Sequence, residues 1–215
     1  MDRVINIWAD VICPFCYLGS VWAEEAAREL QADLRWLPFE IHPETPPEGA
    51  PKPFPPEDWP LVRARLERLA REVGLPIEPP KHNVNSRFAL ETAELVRVEK
   101  GDHATGSFYH DVSRAFFTEH ANISNDEVIV PIAERFGISA SDVEHAWHER
   151  RFSRAVDAFI REAHMAGATG VPAMGWPHQR AIVGMMPSAD LVLRLQKRCT
   201  GTKGLGGLRK RFPAG

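Results

Sequence analysis

Two of the chain's three cysteines, Cys13 and Cys16, stand three positions apart in the stretch ADVICPFCYLG, with Pro14 and Phe15 between them. One helical turn brings such a pair to the same side, where a disulfide can close and reopen. The reactive form of cysteine is the thiolate. A helix N-terminus favours it, through partial positive charge and backbone N–H groups that lack helical partners. Pro14 suits the first helical position, where a missing N–H is no loss. With Cys13 as N-cap, the N–H groups of Phe15 and Cys16 are expected to point at its sulfur. Cys13 then attacks and carries the mixed disulfide. Cys16, deeper and held more firmly as the thiol, resolves it. Phe15, between the two, is placed to set access to the sulfurs and to touch a substrate.

The competing use of Cys-x-x-Cys is half of a zinc site, which needs two more ligands. No second pair exists, and Cys199 and the nine histidines are scattered. A structural disulfide framework is disfavoured by the odd count of cysteines and by a reducing compartment. Composition fits a soluble globular protein: 215 residues, 44% hydrophobic, 26% charged, net charge −3. Such a small charge argues against a general nucleic-acid binder. No run is long enough to span a bilayer, and the first residues lack a secretory-signal pattern. The expected location is the cytoplasm.

The elements that must position the dithiol read as follows. Val4, Ile5, Ile7, Trp8, Val11 and Ile12 form a dense apolar run, suited to a strand buried on both faces. After the cysteines, Leu18, Trp22, Ala26 and Leu30 recur every four residues as one helical face. Leu34 to Phe39 is a second short strand, at a spacing that suits a parallel crossover. His42 to Pro56 is rich in proline and reads as an exposed connection. Helical periodicity then continues to Gly167, with capping boxes expected at Ser124/Glu127 and Ser141/Glu144. After Gly170, two short apolar runs around GWPHQ read as a hairpin, and a closing helix follows. The order is βαβ, a helical block, then ββα, which is that of an α/β thioredoxin-like fold with a large all-helical insertion. The expected division is a discontinuous thioredoxin-like domain (1–42 and 168–200), a Pro-rich linker (43–56), a helical insertion (57–167) and a flexible basic tail (201–215).

In a thioredoxin-like fold the proline that opens the third strand, here Pro172, is cis and lies beside the dithiol. Val171 would then turn its backbone N–H and C=O towards the groove. An extended peptide could pair there as an added strand.

The chain resembles the DsbA family of thiol–disulfide oxidoreductases, and within it the cytosolic FrnE-like branch. ADVICPFCYLG, NSRFALETAELV, FYHDVSRAFFTEHANIS and GATGVPAM carry the resemblance, which spans nearly the whole chain. It implies Cys13 as nucleophile, Cys16 as its partner and Pro172 as the cis-proline, with Pro14, Phe15 and Val171 at the substrate. The chain is also similar in plan to glutathione-dependent isomerases of the 2-hydroxychromene-2-carboxylate type and to kappa-class glutathione transferases. Those enzymes typically carry serine at the position of Cys13, so two cysteines favour redox chemistry here. The expected partners are protein or small-molecule thiols and disulfides. No bound cofactor is expected, with glutathione a candidate redox partner. A redox-inactive peptide-binding module using the groove at Pro172 is the third reading.

Other signals are weaker. Asp10 is placed to move a proton for Cys16, but reads slightly better as a solvated carboxylate at a strand end. Glu40 and His42 read as surface loop, Cys199 as a packing residue, and Lys203, Arg209, Lys210 and Arg211 as a solvated end.

Overall fold

The computed structural model describes residues 3–51, 57–80 and 82–201. The chain opens with β1 (Val4–Ala9), α1 (Pro14–Glu29) and β2 (Asp33–Pro38). β1 and β2 are parallel, from Val4 opposite Asp33 to Ala9 opposite Pro38. Two-residue strands β3 (Ala50–Pro51) and β4 (His82–Asn83) flank α2 (Trp59–Val73). Then come α3 (Arg87–Lys100), α4 (Asp102–Thr118), α5 (Asp126–Glu134), α6 (Ala140–His148) and α7 (Ser153–Met165). The hairpin of β5 (Ala173–Gly175) and β6 (Ile182–Val183) leads to α8 (Ser188–Gly201). The main sheet has the order β2-β1-β5-β6, with β5 antiparallel to both of its neighbours.

Side chains alternate across a strand, and β1, inside the sheet, buries both sets. Ile5, Ile7 and Ala9 face the larger core, which also holds α1, α3 and α4 residues such as Leu18, Ala93 and Phe108. Trp8 faces the other way, onto Leu37, Phe39, Ala163 and Ala173. This is why β1 is apolar on both of its faces, broken by the buried Asn6, and does not alternate. The helical segment is not held at a distance. Its α4 packs on β2, and an ideal Cβ on Gly106 would come within 2.7 Å of Trp36 Nε1, so only glycine allows that approach.

Three expectations need correction. Residues 43–51 of the expected linker are not simply an exposed connection, and 52–56 lie outside the described residues. Thr45 is buried, and Ala50–Pro51 pairs with His82–Asn83, so the proline-rich segment is tied back to the chain ahead of α3. Ser124 does not cap α5: the N-cap is Asn125, and the Ser124 hydroxyl donates to the Asn85 carbonyl at 2.9 Å. The cap of α6 is Ser139, whose side chain accepts the Asp142 N–H, two residues ahead of the expected Ser141. Of the expected tail, Gly201 ends α8, and 202–215 lie outside the described residues.

Arg87 joins three parts of the fold. Its guanidinium donates to Glu40 just beyond β2 (3.0 Å), to Glu91 on α3 (2.8 Å) and to Asp157 on α7 (2.7 Å). It also donates to the Ser153 carbonyl (2.9 Å). Glu40, expected on an open loop, is thereby almost enclosed. Removing the cation would leave buried carboxylates unpaired, with only Arg150 remaining on Glu91 at 3.1 Å. Arg87→Met is therefore expected to destabilise the protein by about 3 kcal/mol. Urea unfolding measures it; a loss below about 0.5 kcal/mol, the scale of an exposed pair, would contradict this account of the hub.

Candidate functional site

β1 ends at Ala9, and the chain turns through Asp10 to Ile12 before α1 begins. Cys13 is the N-cap of α1, in an extended conformation (φ −85°, ψ 113°), and Pro14 follows at the first position. The helix therefore starts where the residue types predict. Both thiols are free and buried, Cys13 to 4% exposure and Cys16 to 2%.

The Val171–Pro172 peptide bond is cis. It lies directly before β5, which is antiparallel to β1, so the strand pairing carries Val171 to the start of α1. The Cys13 thiol donates to the Val171 carbonyl at 3.7 Å. Gly19 permits the close packing on this side: a Cβ there would lie 3.3 Å from Met185 and 3.7 Å from the Pro172 ring. Cys13, Cys16, Pro14, Val171 and Pro172 are thus gathered at one place. Phe15 is half-buried next to them, and the Arg65 guanidinium of α2 lies 5.2 Å from its ring centre, a cation–π contact that sequence spacing did not reveal.

One local expectation fails. The Cys16 N–H does not point at the Cys13 sulfur. It donates to the Cys13 carbonyl at 3.0 Å, as does the Tyr17 N–H at 3.1 Å, and the Cys13 side chain makes no capping hydrogen bond. The extended N-cap presents its carbonyl to the first turn and sends its thiol across to Val171. What the helix offers the sulfur is the field of its N-terminus. The Cys16 thiol is different. Burial pushes it well above its ordinary value, reinforced by its hydrogen bond to Cys13 and by the Asp10 charge, while the Asp10 N–H works the other way. Cys16 is thus held as a thiol and needs a proton acceptor when it reacts.

Asp10 supplies one. It has no exposure at all, which corrects the reading of a solvated strand end. Its carboxylate accepts from the Ile41 N–H (2.8 Å), the Ser86 hydroxyl (3.1 Å) and the Ile12 N–H (3.3 Å). Burial nevertheless dominates these bonds and raises its pKa to about 7, with Glu40 adding repulsion. A carboxyl poised there can take or give a proton at neutral pH. Nothing in the local sequence distinguishes a buried from a solvated aspartate at the end of a strand. The distinguishing contacts come from Ile41 and Ser86, far along the chain. The Asn85–Ser86 pair thus has a structural part here: Ser86 holds Asp10, and the Asn85 side chain donates to the Thr45 carbonyl at 2.7 Å.

Glu40 does not reach the dithiol through any hydrogen bond, being held by Arg87, and His42 pairs with Glu44 at 3.2 Å. Cys199 lies within α8. Among the described residues, no cluster of His, Cys, Asp or Glu is arranged to hold a metal ion, and no helix is long and apolar enough to cross a membrane.

The raised Asp10 pKa has a consequence for stability. Between pH 3.8, the ordinary carboxylate value, and about 7, folded Asp10 keeps a proton that the unfolded chain has lost. Stability must fall as pH rises through that window, by on the order of 4 kcal/mol for this group alone. The unfolding free energy of the wild type, taken relative to Asp10→Asn at each pH, is expected to fall from pH 4 to pH 8. A flat difference would show that Asp10 titrates normally.

Comparison with known proteins agrees with this geometry. The DSBA-like thioredoxin domain model matches residues 4–196. The fold is similar to that of a probable DsbA oxidoreductase, SCO1869, from Streptomyces coelicolor: TM-score 0.79, 21% identity, 99% of this chain and 93% of that one. It is similar to 2-hydroxychromene-2-carboxylate isomerase: TM-score 0.72, 17% identity, 95% of this chain and 100% of that one. It is similar to the cytosolic disulfide reductase DsbM from Pseudomonas aeruginosa, solved with GSH: TM-score 0.66, 17% identity, 92% of this chain and 99% of that one. With the family model covering nearly all of the chain, and two thiols at the head of α1 beside a cis-proline, the protein belongs to the DSBA-like thioredoxin domain family.

Proposed function

We propose that the protein is a thiol–disulfide oxidoreductase of the cytosolic, FrnE-like kind, exchanging electrons through Cys13 and Cys16 with protein or small-molecule thiols. The observation that carries the reading is the pair of free thiols at the N-terminus of α1, close enough for Cys13 to bear on the protonation of Cys16, with Cys13 touching the Val171 carbonyl. In the reducing direction, the Cys13 thiolate attacks a substrate disulfide. The Cys13–substrate bond forms, and the first substrate sulfur leaves and takes a proton. Cys16 then attacks Cys13 Sγ, giving its proton to Asp10. The second substrate sulfur leaves and is protonated in turn. The substrate disulfide is reduced to two thiols, and the dithiol is oxidised to a disulfide. The same steps reversed oxidise a substrate dithiol.

Pro14, Phe15 and Val171 form the substrate-facing surface in this reading. The half-buried Phe15 ring offers apolar contact. The Val171 carbonyl, which Cys13 engages in the free protein, becomes an acceptor for an extended peptide. Glutathione is a fitting small-molecule partner, since the similar DsbM was solved with GSH. The cytoplasm is the compartment this reading assigns, and the likeness to a cytosolic disulfide reductase supports it.

A second reading, a glutathione-dependent isomerase or transferase, is favoured by the similarity to the isomerase fold. One experiment separates the two. Insulin reduction by dithiothreitol is expected to be accelerated by the wild type and to return to the uncatalysed rate with Cys13→Ser. Equal rates for the two would overturn the redox reading. Tight glutathione binding that survives Cys16→Ser, together with equal rates, would support the isomerase instead.

A further inference from the structure

A small cavity lies directly behind the dithiol. Asp10, Cys16, Tyr17, Trp36, Tyr109 and His110 line it, with two serines, Ser20 and Ser113. Its volume, about 10 Å³, is that of a site for one water molecule. Of the four hydroxyls on its wall, two are already used. Ser20 donates to the Tyr17 carbonyl at 2.7 Å, and Ser113 to the Val11 carbonyl at 2.9 Å. The other two, those of Tyr17 and Tyr109, are buried and have no hydrogen-bond partner. Both tyrosines are 2% exposed. A buried hydroxyl without a partner is costly, and the usual remedy is an internal water. Here the need and the room coincide.

The charged groups around the cavity give such a water a direction. Asp10 and Cys16 face it from the β1–α1 junction. Beyond Tyr109, Glu94 and Arg97 on α3 bear on its hydroxyl. One Glu94 oxygen accepts from Arg97 at 2.6 Å; the other is buried without a partner, and burial raises the pKa of this carboxyl, but Glu94 is fully enclosed and has no route to solvent of its own. Arg114 bears on Tyr17. The remaining titratable wall is His110, half-buried, with its ring centre 5.3 Å from that of Tyr17. His110 also lines a surface groove of about 1030 Å³ between α1, β2 and α4. It therefore borders both the cavity and the outside. An imidazole can receive a proton at one nitrogen and release one at the other.

We infer that the cavity holds one water, anchored by the Tyr109 and Tyr17 hydroxyls, which connects the Asp10–Cys16 pair to His110 and forms the path by which the Cys16 proton leaves the interior. The inference rests on the dithiol reading above. When Cys16 attacks Cys13, the Cys16–Cys13 bond forms and the Cys13–substrate bond breaks. The departing sulfur takes the electron pair and is protonated from solvent. The proton from Cys16 passes to Asp10 across the water and is exchanged through His110 with solvent. No oxidant beyond the substrate disulfide is needed. Tyr109 and His110 act through the water and not on the reacting sulfurs, so they are positioning residues.

The test uses the reduced full-length protein carrying Cys199→Ser, so that Cys13 and Cys16 are its two thiols, with 5,5′-dithiobis(2-nitrobenzoic acid) in stopped flow. The first thionitrobenzoate released reports attack by Cys13, the second attack by Cys16. Tyr109→Phe and His110→Gln are each expected to slow the second release about tenfold near neutral pH, at the low end of what proton transfer contributes. The first release keeps its rate. Added imidazole buffer restores the second release in His110→Gln, which a packing defect would not allow. His110 is only half-buried, so its variant keeps the test decisive should Tyr109→Phe fold poorly. A second release at the wild-type rate in folded His110→Gln would overturn the proton path. The redox reading fails separately, if the wild type itself gives no second release dependent on Cys16.

Discussion

The carboxyl group of Asp10 has no contact with solvent, and the junction between β1 and α1 is organised around that constraint. An isolated carboxylate in such a place is strongly disfavoured. The fold answers with three donors drawn from separate parts of the chain: Ile12 in the turn, Ile41 beyond β2 and Ser86 before α3. They are not enough to offset burial, and the group is left balanced between its two protonation states at about 7. Cys16 lies against the same carboxyl and shares its enclosure. Each disfavours charge on the other. A proton is therefore kept near the pair, and in the proposed reaction a substrate disulfide on Cys13 makes its removal productive.

The division of labour between the two thiols follows from position. Cys13 stands at the helix start with Val171 across from it, and in the proposed reaction it is the thiol that meets the substrate. Cys16 is one turn further in, against the core. The sheet makes this possible. Antiparallel pairing of β5 with β1 brings a segment from late in the sequence to the first turn of the first helix. The helical segment contributes the rear wall: Tyr109, His110 and Ser113 on α4 close off the space behind Cys16. The Arg87 hub fixes α3 and α7 to the end of β2, next to the Ile41 amide that holds Asp10. The insertion thus completes the environment of the dithiol.

Much of this was legible in the sequence. Cys-Pro-Phe-Cys after an apolar run fixed the strand–helix junction, because Pro14 can open a helix and Cys13 can precede one. The run from Val4 to Ala9, apolar at odd and even positions alike, announced a strand covered on both sides. Gly170-Val171-Pro172 before a short strand located the second half of the site. What the sequence concealed depends on long-range contact. Asp10 looks the same whether it meets water or Ser86. Glu40 looks like a loop residue until Arg87, 47 positions later, is placed beside it. The capping boxes at Ser124 and Ser141 obeyed a spacing rule, but Asn125 and Ser139 fit the actual helix starts. The thiol cap of Cys13 failed for a similar reason: the nearby Val171 carbonyl takes the thiol, and the Cys13 carbonyl takes the amides.

The central claim is that a buried carboxyl serves the dithiol as proton acceptor at neutral pH. The most direct measurement is the titration of the Asp10 side-chain carboxyl carbon by NMR in the reduced, selectively labelled protein. The account predicts a midpoint near 7. A midpoint near the ordinary 3.8 would contradict it.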